Sequence, residues 1–474
     1  MKRTNNLKSD KDFTDKYFRI LSPVFPDFLN DYIETPALQR LKPNSISCGC
    51  NYTDMFDLKF KYSNLSHSIG VALIIWHFTG SKTQTLAGLF HDLANPSFKH
   101  CIDFMNGDHE KQTSIDERQE ELLLASTEIQ KLLKRDDVKT EDVVDYQLYP
   151  IADNETPQLS SDRLEYTLSN GYFWKPVWDF EDISEIYNDL TILKNENGVD
   201  ELGFKSLKIA EKFIDGASQL WPLWIDEKDR ATMQFIADTV AKVNKLGLIS
   251  IDDLYEKSED DLIKVIKSCG VRKIEKDFEI FQNLLPENCH GSETEVKDKY
   301  CRQIKAKRRY IIPLVKTKNG AKRIIDLSLE AKQQIDAYLN KEYAKYIYLD
   351  IDETKINDDV RLVSELTGDT YRNSTGSEIS VVKITNDVLM TTKEMARMFG
   401  VGVPTVHKKI AKIFNSKELN KKQVSSILTQ KADDGKLYRT TFYNGQVIIR
   451  VGSMLKSAEA EAFQGWLSKK VTER

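Results

Sequence analysis

Seven histidines occur in 474 residues, and four of them, His67, His91, His100 and His109, fall within 43 residues. His91 is followed directly by Asp92, and Asp162 stands in LSSDRLEYTL, just ahead of a helical pattern. Imidazole and carboxylate together suit a borderline divalent cation such as Mn, Fe, Co, Ni or Zn. Such an ion polarises a phosphoryl oxygen and generates hydroxide from water at neutral pH. A lone histidine beside apolar residues is more often a hydrogen-bonded structural residue, and His77 and His290 are read that way. The ordered set H, then HD, then D is far more specific. Cys48 and Cys50 form a C-x-C pair, but no second pair lies at zinc-site spacing, so they read as free thiols.

The elements that must position these groups are mostly helical. From about Asp12 to Gln282, stretches such as IGVALIIWHF, TLAGLFHDL and ATMQFIADTVAKVNKLG carry apolar residues at three-and-four spacing. His67 opens one predicted helix, His91 and Asp92 end another, and Asp162 opens a third. In a helical bundle such ligands can converge on one point. Asn283 to Val296 reads as a loop by composition. RRYIIPLV and KRIIDL read as two strands with turn chemistry at KNG between them. A helix, LEAKQQIDAYLNKEYAKYI, follows, and Asp350 to Ser380 is polar enough to be a linker.

At the histidine and aspartate positions the chain resembles the HD-domain phosphohydrolases, and within them the deoxynucleoside-triphosphate triphosphohydrolases, the dGTPase-like group. TPALQRL (Thr35 to Leu41), HSIGVA from His67, HDLANPSFKH (His91 to His100), the pair His109-Glu110 and SDRLEY from Ser161 stand in that family's order. The resemblance runs into KAKRRYIIPLV and covers about the first 345 residues. It implies that His67, His91, Asp92 and Asp162 ligate one divalent ion (Mn, Fe, Mg, Co, Ni or Zn). His109, with Asp103 or Glu110 nearby, would be the acid/base group, and His100 is a further catalytic candidate. Arg163 would touch phosphate oxygens, Tyr166 would pack on or hydrogen-bond the sugar, and Gln39 and Arg40 would contact substrate. The implied reaction releases inorganic triphosphate and a nucleoside. The family's habits also imply a homo-oligomer and a second nucleotide as effector.

The sequence departs from that pattern at several positions. Asn95 stands where the family has a second histidine, and an amide cannot shuttle protons. Asn64 stands where an arginine precedes the first ligand motif. No glutamine follows QRL in KPNSISCGC, and WIDEKD (Trp224 to Asp229) lies where a Tyr-x-His-Lys phosphate clamp is expected. The expected metal ligands are unaffected, but a monophosphate or other phosphoester substrate stays open.

The C-terminal segment is different in charge. The chain carries −5 overall, yet from Gly376 onward 17 basic residues face 9 acidic ones, a balance of +8 that leaves −13 for the rest. An acidic body with a basic tail suggests that the tail meets something anionic. Thr391 to Phe414 has helix-turn-helix character, with Gly400 at the turn and Pro404 at the start of the second helix. Lys408, Lys409 and Lys412 fall on that second helix, where they would neutralise nucleic-acid phosphates. A hairpin turning at DDGK would form a wing. Over about 90 residues from Val381 the segment resembles RhuM-type proteins.

These readings predict a mainly α fold: an HD-domain helical bundle with a small hairpin-containing appendage and a C-terminal winged-helix-like α+β domain. The expected boundaries are 1–282 for the phosphohydrolase core, 283–349 for the appendage, 350–380 for a linker and 381–474 for the terminal domain. Hydrophobic residues at 40% and charged residues at 30% are ordinary for a globular protein. No apolar run approaches the roughly 18 residues of a membrane span, and MKRTNNLKSDKDF lacks an apolar signal core. A cytoplasmic location and no membrane partner are therefore expected. Three functions fit: a nucleotide phosphohydrolase, a nucleic-acid-binding regulator whose HD domain senses a nucleotide, and a nucleotidase or nuclease.

Overall fold

A computed structural model describes residues 8–106, 116–353, 370–372, 378–380, 382–384, 387–416, 418–419, 424–431, 437–457 and 459–460. The chain is mostly helical with several small sheets. It divides into two compact units, one formed by Met1–Val240, Asp252–Lys264 and Asp277–Asp352, the other by Ala241–Ile251, Val265–Lys276 and Glu353–Arg474.

In the first unit, helix α1 (Asn64–Thr79) is apolar on every side from Ile69 to Ile75 and buried over that stretch, as a central helix must be. Ser63 caps its N-terminus by accepting the Ser66 N–H at 3.0 Å, which sets His67 in the first turn. Helix α2 (Lys82–Phe90) ends at His91, and α3 (Cys101–Asn106) follows. Helix α4 (Ser161–Phe173) is capped by Ser160, whose Oγ accepts the Arg163 N–H at 3.2 Å. Gly70 allows α1 and α4 to approach: a Cβ there would lie 2.8 Å from Glu165 Cγ. Helix α5 (Glu227–Lys245) begins in this unit. The core gathers Tyr17, Tyr62, Leu73, Phe90, Leu164, Leu168 and Phe213, all fully or almost fully buried.

The region read as mostly helical also contains a hairpin, β1 (Leu190–Lys194) with β2 (Asp200–Phe204), in register Leu190↔Phe204. The loop expected at 283–296 contains strand β3 (Cys289–Ser292). It joins a three-stranded sheet with β4 (Lys299–Gln303) and a later strand, Tyr346–Asp352. The predicted hairpin is present but shifted. Its strands are β5 (Leu314–Thr317) and β6 (Gly320–Arg323), because Pro313 has no N–H for a ladder and the Ile312 N–H goes to Pro157 O at 2.8 Å. The helix predicted through 347 is α6 (Leu329–Leu339), and the alternating YIYLDID after it is a strand, β7 (Tyr346–Asp352). The residues expected to begin the linker, Asp350 to Asp352, belong to that strand.

In the second unit, β8 (Val382–Ile384) and β9 (Asp387–Thr391) pair antiparallel. Helices α7 (Thr392–Met398) and α8 (Val403–Asn415) follow, with Gly400 at φ 62° between them. Thr391 and Glu394 form a reciprocal cap on α7. Strands β10 (Ser425–Lys431) and β11 (Leu437–Tyr443) complete a four-stranded sheet with β8 and β9, and α9 (Gly445–Ser453) packs beside it. Met395, Ala396, Val406, Ile410, Ile413 and Val447 share its core. The expected DDGK turn and AFQGWLSKKV helix lie outside the described residues.

Candidate metal centre and substrate cavity

Two serine-capped helix starts and one helix end deliver the candidate ligands. His67 comes from the first turn of α1, Asp162 from the first turn of α4, and His91 with Asp92 from the end of α2. His67, His91 and Asp162 each offer a ligand atom, and these atoms lie within 4.8 Å of one another. His67 Nε2 is 3.2 Å from Asp162 Oδ1 and 3.2 Å from His91 Nε2. His91 Nε2 is 3.6 Å from Asp162 Oδ1 and 3.5 Å from Asp92 Oδ1.

The ring orientations are fixed from behind. His91 Nδ1 lies 2.7 Å from Gly88 O. A carbonyl oxygen only accepts, so Nδ1 carries a proton and Nε2 is the ring atom turned to the centre. His67 Nδ1 contacts the fully buried Glu165 carboxylate, which also accepts the Tyr62 hydroxyl at 2.7 Å. Both Nε2 atoms therefore face each other and two carboxylates, an arrangement suited to a cation that displaces any proton held there. The donor set fits a divalent ion, with partners behind the ligands of the kind that orient metal-binding imidazoles. Burial pulls the His67 pKa down, but the Glu165 and Asp162 carboxylates outweigh it and raise it to about 10. Burial would raise the Asp162 carboxyl, whereas His67 and His91 hold it well below the usual carboxylate range.

The centre lines a cavity of about 360 Å³. Lys99, Arg163, Arg230, Lys305, Lys307, Arg308 and Arg309 also line it, together with Tyr166, Trp174 and Trp224. Tyr166 and Trp224 meet edge to face, with centroids 5.7 Å apart. The basic run 305–309 is held between two anchors. Arg230 Nη1 donates to Ile304 O at 2.6 Å, and Arg323 Nη1 donates to Ile312 O at 2.9 Å.

His100 borders the cavity, and its Nδ1 lies 3.0 Å from Oδ2 of the buried Asp103. Its Nε2 is 3.4 Å from Arg309 Nη2. Burial is the main influence holding the His100 pKa below that of free imidazole; Arg309 adds to this, while Asp103 opposes it. His109 and Glu110 lie outside the described residues. Arg163 lines the cavity but donates to Gln158 O at 2.8 Å and pairs with Asp153 at 3.1 Å.

Gln39 and Arg40 do not reach the cavity. Gln39 donates to Ile33 O at 2.9 Å, and Arg40 donates to Asn95 O at 3.0 Å and Leu93 O at 2.5 Å. The Arg40 guanidinium is thus engaged by backbone carbonyls of the turn after His91-Asp92. Asn64 and Asn95 are fully buried, and neither side-chain amide has a hydrogen-bond partner among the described residues.

Four features escaped sequence reasoning. Glu165 sits three residues after Asp162, a helical spacing that puts both on one face. Lys99 bonds Asp92 Oδ2 at 2.7 Å. Asp229 lines the cavity and accepts from Cys50 Sγ at 3.5 Å. The run 305–309 was visible as a cluster of charge, but nothing local pointed to its destination.

The centre and cavity define a mostly helical protein built to hold a divalent cation beside a basic pocket. No family model matches the chain. It is 22% identical over 244 residues to the uncharacterised protein YdhJ of Bacillus subtilis, covering 51% of this chain and 71% of the relative. It is 23% identical to a metal-dependent phosphohydrolase, cns2, of Cordyceps militaris, over 30% of this chain and 39% of that one. An uncharacterised protein of Mycoplasma genitalium is 26% identical, over 40% of this chain and 49% of its own length. The chain thus spans less than half of the last two relatives. Among solved structures, a phosphohydrolase from Bacteroides thetaiotaomicron overlaps 68% of this chain and 94% of its own, with TM-score 0.49 and 13% identity. A hypothetical protein from Aquifex aeolicus overlaps 69% and 93%, with TM-score 0.45 and 18% identity.

Proposed function

We propose that the chain is a metal-dependent phosphohydrolase of the HD-domain superfamily acting on nucleotides, with one divalent ion held by His67, His91, Asp162 and Asp92. The observation that carries this reading is the convergence of the two Nε2 atoms, 3.2 Å apart, on Asp162. When bound, the ion polarises a phosphoryl oxygen and activates water. The chain's own residues do the rest. His100, oriented by Asp103, presents Nε2 to the cavity and can pass a proton there. His109 with Glu110 completes the acid/base set. The basic lining holds the anionic part of the substrate. Tyr166 and Trp224 offer an aromatic end to the sugar and base, and Arg163, held by Gln158 and Asp153, adds its charge to the lining toward phosphate.

Within that class, a deoxynucleoside triphosphate cleaved to nucleoside and inorganic triphosphate is the preferred substrate. Lys305, Lys307 and Arg309 line the cavity together, a run of charge that suits a polyphosphate better than a monophosphate. The Mn²⁺-loaded chain and an Asp162→Ala variant, incubated with dNTPs, NTPs and dNMPs, are to be resolved by ion exchange. Nucleoside plus triphosphate, absent in the variant, supports the full reading. Phosphate from monophosphates alone makes it a nucleotidase. No turnover by metal-loaded protein rejects the enzyme.

A second reading is favoured by the orphaned amides of Asn64 and Asn95, which stand where reactive side chains are expected. In it the first unit senses a nucleotide and the second, a winged-helix-like module, binds nucleic acid through Lys408, Lys409 and Lys412. Lys408 and Lys412 are exposed and four residues apart on α8, and Lys409 is half-buried. A homo-oligomer, a nucleotide effector and a role in bacterial nucleotide depletion or phage defence belong to the same set of proposals. A lone 54.6 kDa species in light scattering, with or without nucleotide, rejects the oligomer.

A further inference from the structure

Lys99 belongs to the basic lining of the cavity, but unlike the rest of it sits inside the centre itself. It is 8% exposed, and its Nζ lies 2.7 Å from Asp92 Oδ2. Asp92 turns both oxygens to the centre, Oδ1 at 3.5 Å from His91 Nε2 and Oδ2 at 3.7 Å from His67 Nε2, and Oδ2 also holds the lysine. The backbone that puts the ammonium there is strained: Phe98 and Lys99 have φ 66° and 43°, a region bulky residues avoid. A buried lysine on a strained turn is costly and persists where its surroundings enforce it. The residue also faces the cavity. Sites that use two metal ions hold them a few ångströms apart, sharing a carboxylate between them. Here Asp92 Oδ2, beside the centre, already carries a cation on its other side.

We propose that Lys99 is a built-in second cation: seated on Asp92, its ammonium takes the place of a second metal ion and binds a non-bridging oxygen of the phosphoryl group beside the first. The inference rests on the metal-centre reading above. It makes the centre mononuclear, and it gives metal and phosphate affinities opposite responses to loss of one side chain. The positive charge repels the metal and attracts the phosphate.

The test is calorimetric titration of the full chain with Mn²⁺, and of the Mn²⁺-loaded chain with pyrophosphate. Wild type is expected to saturate at one ion per chain. Lys99→Met, which keeps the stem and removes the charge, is expected to bind Mn²⁺ about tenfold more tightly and pyrophosphate about tenfold more weakly. Lys99→Arg is expected to keep wild-type pyrophosphate affinity. A second ion bound by wild type at Asp92 overturns the proposal without any variant. Folded Lys99→Met with unchanged affinities, or with both weakened, also overturns it. A wild-type chain that binds no metal sinks the metal-centre reading, and this inference with it. One ion per chain, with pyrophosphate indifferent to Lys99, sinks this inference alone.

Discussion

Glu165 shows how much one buried residue controls. Its carboxylate receives His67 Nδ1 and the Tyr62 hydroxyl, so it fixes the ring that meets the metal. Glu165→Gln keeps the volume but replaces an anion with an amide. It is expected to lower Mn²⁺ affinity by roughly 10–100-fold, read by calorimetry, with secondary structure unchanged. Asp229 tests burial itself. Desolvation is the main cause that pushes its carboxyl up from 3.8 to about 7, opposed by the Cys50 contact. A raised folded pKa means the acid is stabilising while protonated. Its stability is full below the unfolded value and is lost as pH rises toward 7, a difference of roughly 4 kcal/mol at most. Asp229→Asn is therefore expected to melt higher than wild type at about pH 8, with the gap shrinking toward about pH 4.5. A gap independent of pH rejects that account. Glu165 lay within a recognised motif, and its helical spacing from Asp162 was a signal that could have found it. Asp229 was not, because burial is a property of the fold.

At the scale of elements, the centre depends on where helices start and stop. Ser63 and Ser160 are the caps that set His67 and Asp162 in first turns. Ser160→Ala is expected to cost about 1 kcal/mol, seen as a lower midpoint in thermal or urea unfolding, and to weaken metal binding by loosening Asp162. The turn after α2 is held by Arg40 on the carbonyls of Leu93 and Asn95. Arg40→Ala is expected to reduce metal occupancy although no ligand is removed. Occupancy equal to wild type, with turnover lost, would return Arg40 to the substrate-binding role. The helices of the centre were legible in the apolar spacing. The hairpin at 190–204 and the strand at 346–352 were not, because short segments take their form from partner strands distant in sequence.

For the whole molecule, the charge division is the feature with consequences. Among the described residues, no helix is long and apolar enough to cross a membrane. In the second unit Val406, Ile410 and Ile413 face the core of α8 and Lys408 and Lys412 face outward. If that face meets nucleic acid, the double variant Lys408→Glu with Lys412→Glu is expected to weaken binding of duplex DNA by the full chain and to flatten its dependence on salt concentration. Equal affinity in fluorescence anisotropy at two salt concentrations rejects that face. Loading with Mn²⁺ is expected to raise the unfolding midpoint, and chelation to lower it, since a ligand that binds only the folded state stabilises it.

By itself the sequence determined the ligand types and their order, the helices that carry His67, His91 and Asp162, and the contrast between acidic body and basic tail. These follow from local spacing and composition, which any stretch of chain displays before it folds. Only the tertiary structure decided that Lys99 rests on Asp92, that Arg40 serves a turn, that Glu165 backs His67, and that the run at 305–309 lines the same cavity as His100. Each of those joins groups by distance and burial, and neither quantity exists until segments separated by up to about two hundred residues have packed together.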